Sequence, residues 1–210
     1  MNSPTENPQQ STSEADALPR SRVLLFFILA AVGATADLLT KSAVFGWSVP
    51  IPGYQKDPYW IVDGIFGFET AVNLGAVFGL GAGQGTAFAI MSIFAGIGII
   101  VWLFWFKAAH SLWLTWALGL VSGGIIGNLY DRLGLWWEPS YPEAWQSGVR
   151  DWILVRFEGV PFFDPWPNFN IADSLLVVGA CMLMWQSFFH SEELGAEKKC
   201  EPSTDPATAN

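Results

Sequence analysis

The sequence is poor in charge, cysteine and histidine. Only 14% of its 210 residues are charged, well below the share in an ordinary soluble domain, so a globule with a solvated ionic surface is excluded. Two cysteines, Cys181 inside an apolar run and Cys200 near the end, exclude a disulfide framework. With two histidines, His110 and His190, and no HExxH or paired-cysteine motif, a catalytic metal has no ligand set, and no cofactor is expected. No basic tract offers a surface to nucleic acid. The net charge of -9 falls largely in the two ends of the chain and bears little on partners.

What is present is apolar length. Hydrophobic residues make up 51% of the chain and gather into four runs, at about 23–40, 86–106, 112–129 and 169–189, each long enough to cross a hydrocarbon core of about 30 Å. Residues 1–21 are rich in Ser, Thr, Pro and Gln and read as a disordered tail; residues 22–190 form one four-span domain; 191–210 read as a second disordered tail. The first run follows Arg20 and Arg22 and is too long for a cleavable leader. Lys107 and His110 fill the tight turn between the second and third runs. The positive-inside rule, strongest at short flanks, then puts both ends of the chain in the cytoplasm, although Lys41, Lys56, Arg132, Arg150 and Arg156 fall on the other side.

Two long segments lie on that opposite, outer side. IVDGIFGFETAVNLGAVFGLGAG at 61–83 alternates β-branched or aromatic residues with glycine, a pattern of short strands and turns. WWEPSYPEAW at 136–145 cannot form one continuous helix because Pro139 and Pro142 interrupt it, and the segment 133–168 is expected to be a surface cap. The tryptophans near span ends are expected at the lipid headgroups.

Ionisable residues at membrane depth face a cavity or one another. Asp37 and Lys41, four apart on the first run, share a helix face and are expected to pair. The third run ends in GGIIGNLYDR, with three glycines for close packing and Asn128, Asp131 and Arg132 within one turn; Asp131 is expected to make a salt bridge with Arg132 or across helices. The fourth run opens with Asn170 and Asp173, three apart. Asp151 stands in the apolar segment VRDWILV, where its carboxylate is desolvated. Two such carboxylates brought together would share a proton, the arrangement by which aspartic proteases activate water. Physical reasoning leaves three outer-face carboxylates, Asp131, Asp151 and Asp173, as candidates for such a pair.

DLLTK at 37–41, NLGAVFG at 73–79, GGIIGNLYDR at 123–132, VRDW at 149–152 and FNIAD at 169–173 together resemble the bacterial lipoprotein signal peptidases, or signal peptidase II. The resemblance implies an all-α membrane protein: four transmembrane helices, a small extracytoplasmic β-cradle, and a surface helix or loop between spans three and four. It implies a monomeric aspartic endopeptidase of the bacterial inner membrane that removes the signal peptide from diacylglyceryl-modified prolipoproteins just before the lipidated cysteine, with membrane lipid as its surroundings. The catalytic pair maps to Asp151 and Asp173. Supporting roles map to Asp37, Lys41, Asn73, Gly75, Gly124, Asn128, Arg132, Asn170 and Ala172. A small transporter or proton channel using the same carboxylates as a relay is the alternative from another class.

The chain departs from the family pattern in three places. Val77 stands where a smaller residue is usual, Arg150 and Trp152 flank Asp151 where valine and phenylalanine are common, and the insertion between Arg132 and Asp151 is about ten residues longer than loops usually run. An arginine next to Asp151 is expected to lower its pKa.

Overall fold

The computed structural model describes residues 18–50, 57–75, 81–157, 159 and 166–200. The expected N-terminal tail up to residue 17, Val77, and residues 201–210 lie outside them. Four long helices carry the fold: α1, Arg20–Trp47; α2, Gly85–Ile100, continued by a wider π turn over Val101–Trp105; α3, Leu112–Arg132; and α4, Ile171–Cys200. All four contain an apolar stretch of membrane-spanning length.

On α1 the buried positions are Phe26, Ala30, Gly33, Ala34, Asp37, Lys41 and Phe45, a helical stripe that faces the bundle. Leu24, Phe27, Val32 and Leu39 on the other side are exposed, as a surface solvated by lipid tails allows. At 28 residues the helix is about 42 Å long, so it outruns the hydrocarbon core and carries its last turns toward the sheet. Helix α3 is central and packs against the other three. Its glycines make this possible: a Cβ at Gly124 would collide with the Ala172 carbonyl on α4 at 2.5 Å, and one at Gly127 would run into the Asp37 carboxylate on α1. Ser111 caps α3 by accepting the Leu114 N–H at 3.3 Å, and Lys107, with φ of 56°, turns the chain tightly out of α2.

Three antiparallel strands form a sheet in the order β1, β2, β3: Tyr59–Val62, Phe66–Asn73 and Val149–Val155. The first two are a hairpin turning through Gly64 at φ +70°. The third comes from the second long segment and pairs Ala71 with Asp151 and Asn73 with Val149. The expected surface cap therefore contains a buried strand, because VRDWILV has the β-branched and aromatic content a sheet needs and β2 offers it an edge. Between Arg132 and that strand the chain makes turns only, including one 3-10 turn at Glu143–Trp145. Trp152 is likewise an exception to the interfacial expectation; it packs with Phe45 and Ile153 in a small core beneath the sheet.

Helix α4 starts two residues later than the apolar run, since Phe169 bridges to Ile153 and Asn170 occupies the cap position. It also continues past residue 190, the expected end of the domain, to Cys200, through EELGAEKK, where all but Gly195 are strong helix formers.

Candidate active site

Asp37, Lys41, Asn128, Asp131, Arg132, Asn170 and Asp173 gather at one end of the bundle, beneath β3 and Asp151. Lys41 Nζ lies 2.7 Å from Asp37 Oδ2 and 3.3 Å from Asp131 Oδ2, and donates to Asn128 Oδ1 at 2.9 Å. Asp37 and Lys41 are fully buried, so the pair expected from their spacing is present and an ammonium ion is held without water. The other oxygen of Asp37 accepts the Ala172 N–H at 2.9 Å, one of the unpaired donors in the first turn of α4. That contact requires the space left by Gly127.

Asn170 organises the carboxylates. Its side-chain NH2 donates to Asp151 Oδ1 at 2.6 Å and to Asn128 Oδ1 at 3.1 Å. Its Oδ1 accepts the Asp173 N–H at 2.9 Å, while Asp173 Oδ2 accepts the Asn170 N–H at 3.2 Å. This reciprocal pair is a capping box, and it fixes Asp173 at the start of α4. Asn128 completes the link by donating to Asp173 Oδ1 at 2.7 Å. The partners a buried carboxamide needs are thus found for Asn128 on α1 and at the start of α4.

Asp151 is 2% exposed, whereas Asp173 is half-buried. Burial, then the charge of Asp173, pushes the Asp151 carboxyl up to about 8; the hydrogen bond from Asn170, the charge of Lys41 and a hydrogen bond from Asn73 oppose the rise. The lowering expected from Arg150 is absent. Its guanidinium turns away, because adjacent strand residues point to opposite faces, and it bonds Asp131 Oδ1 through Nη2 at 2.8 Å and Nε at 3.1 Å. Of the salt bridges expected for Asp131, the one with Arg132 is not made, and Asp131 instead pairs across elements with Arg150 and Lys41.

Arg132 braces the loops. It donates to the carbonyls of Asn73 at 3.1 Å, Ser147 at 2.8 Å and Gly75, with its guanidinium over the Phe88 ring. Asn73 Oδ1 accepts the Gly75 N–H at 3.0 Å, a local turn that presents the Gly75 carbonyl. Every residue expected at the site is in this network or packed against it, Gly124 and Ala172 at the α3–α4 contact. The residue whose contacts sequence reasoning missed is Arg150, read there only as a neighbour of Asp151; its signal was a second charged residue in the apolar strand VRDWILV. Among the described residues, no group of acidic, histidine or cysteine side chains could hold a metal ion.

Four helices of membrane-spanning length with a buried network of carboxylate, carboxamide and basic side chains at one end define a polytopic membrane protein. The family model described as signal peptidase (SPase) II matches residues 29–189. A lipoprotein signal peptidase of Rhodopirellula baltica is 56% identical over 96% of this chain and 90% of its own length, and one of Rhodococcus jostii is 31% identical over 86% and 80%. A solved structure of a bacterial membrane enzyme shares the fold, with a TM-score of 0.60 and 23% identity over 86% of this chain and 93% of that one. The chain belongs to the signal peptidase II family and is a multi-pass membrane peptidase.

Proposed function

We propose that this protein is an aspartic endopeptidase that removes the signal peptide from diacylglyceryl-modified prolipoproteins, cutting just before the lipidated cysteine, with Asp151 and Asp173 as its catalytic residues. The observation that carries the reading is Asn170, whose amide and backbone N–H groups hold one oxygen of each carboxylate. Two carboxylates so linked, one of them desolvated, share one proton, and the deeper burial of Asp151 assigns the proton to it. Asp173 takes a proton from water, the water adds to the scissile carbonyl, and Asp151 donates a hydrogen bond to the developing oxyanion. Proton return to the leaving nitrogen completes the cut. Lys41, Asn128 and Asn170 hold the pair in place, and Asn73, Gly75 and Arg132 shape the adjoining strand.

The site is assigned to the outer face of the bacterial inner membrane with both ends of the chain cytoplasmic, since Arg20, Arg22 and Lys107 flank the opposite ends of the spans. A monomer suffices, because one chain supplies the whole network. The transport reading has no support: the interiors of the spans between the two charged ends carry no ionisable relay.

The test is cleavage of a lipidated and an unlipidated prolipoprotein by purified protein in lipid, read by mass spectrometry. Cutting before the lipidated cysteine only, abolished in folded Asp151→Asn and Asp173→Asn proteins, is the expected result; full activity in either variant would refute the assignment.

A further inference from the structure

Arg150 is 4% exposed, and nothing in the proposed chemistry uses it. A guanidinium that deep has a large desolvation cost unless its donors are met. They are met in an unusual way: the side chain grips Asp131 Oδ1 through two nitrogens, and the Arg150 backbone N–H donates to Asp131 Oδ2 at 2.9 Å. Asp131 sits on α3, so side chain and main chain of one strand residue are fastened to the same carboxylate of the central helix. Nη1 reaches Ser42 Oγ on α1 at 3.5 Å.

The faces of the guanidinium are covered as well. Trp136 lies 5.3 Å from it and Phe45 6.0 Å, ring centroid to Cζ, and the two rings meet edge to face. Trp136 belongs to the long insertion and is itself tied down, its indole N–H donating to the Gly148 carbonyl at 3.0 Å. Cation–π contacts shielded from water are stronger than exposed ones. Two of the three departures from the family pattern thus meet at one point: the arginine beside the aspartate, and the insertion that covers it.

We propose that Arg150, clamped to Asp131 and covered by Trp136, is a positioning residue that sets the height of Asp151 over Asp173, and that the long insertion is retained to keep this clamp dry. One peptide bond separates the clamp from Asp151, whose carboxyl is otherwise held by hydrogen bonds from Asn170 and Asn73. A misplacement of about 1 Å at a reacting group can cost a hundredfold in rate. The proposal rests on the reading of Asp151 as catalytic.

Steady-state cleavage of a lipidated prolipoprotein by purified full-length protein in lipid tests it, with wild type and Asp151→Asn run alongside so that failure of the catalytic reading is seen separately. For Arg150→Val, kcat is expected to fall about tenfold or more with KM within about twofold, and Arg150→Lys, which keeps the charge but loses the two-nitrogen grip, should recover part of the loss. Trp136→Leu leaves the ion pair and removes its cover; it should lower kcat severalfold, and it serves if Arg150→Val does not fold. Unchanged kcat in folded Arg150→Val, or in Trp136→Leu should Arg150→Val not fold, or a loss confined to melting temperature, would overturn the proposal.

Discussion

Asn170 and Asp173 cap each other: the Asn170 carboxamide oxygen takes the Asp173 N–H, and an Asp173 carboxylate oxygen takes the Asn170 N–H. The helix start and the proposed catalytic base are therefore one structure. Replacing Asn170 by Ala should remove a cap that contributes about 1 kcal/mol and also strand the Asp151 oxygen it serves. Asn170→Asp keeps the cap but sets a third carboxylate against Asp151. Melting temperature should fall more in Asn170→Ala, whereas cleavage should be lost in both.

The raised Asp151 carboxyl gives two pH dependences. Folding binds this proton between the ordinary carboxyl range near 3.8 and about 8, so the native state holds more protons than the unfolded one in that window and stability declines as pH rises through it. Asp151→Asn removes the proton uptake. Its melting temperature should exceed that of wild type by a margin that grows from about pH 4 to about pH 8 and then levels. Cleavage by the wild type should fall as pH passes about 8, where the proton Asp151 holds is lost; a rate that keeps climbing to pH 10 would contradict this.

Asp131→Asn should lower stability and, because it breaks the Arg150 clamp, lower kcat as well. It leaves the Arg150 and Lys41 charges short of a partner in a buried site, at a cost of about 3–5 kcal/mol for breaking such a pair. The two proposed catalytic carboxylates remain, so reduced but measurable cleavage is expected in the fraction that folds. Complete inactivity in a protein with wild-type melting behaviour would instead move Asp131 into the catalytic pair.

Gly127→Ala should destabilise by about 1–3 kcal/mol, the usual cost of overpacking, because the added methyl runs into the Asp37 carboxylate. Gly96, which has open space around the same atom, is the control: Gly96→Ala should leave melting unchanged or raise it slightly.

Much of this was legible in the chain. Four apolar runs gave the four spans, and helical spacing alone paired Asp37 with Lys41 and set Asn170 beside Asp173. What stayed hidden are contacts between distant segments. Arg150 and Asp131 are 19 positions apart on a strand and a helix, and no periodicity announces such a meeting. Arg132 reads as a partner for its neighbour Asp131, yet adjacent helix residues do not face each other, and it bonds loop carbonyls instead. The choice of Asp151 and Asp173 over Asp131 also needed the family motifs, since depth alone made the three alike.

The brace made by Arg132 has a consequence for biosynthesis. Its three carbonyl acceptors come from Asn73 and Gly75, made before span three, and from Ser147, made after it, and Asp173 arrives only with the last span. A nascent chain that has threaded three spans into the membrane has neither a closed loop brace nor either carboxylate of the proposed catalytic pair. On the proposed assignment of Asp151 and Asp173, peptidase activity therefore waits until synthesis is nearly finished.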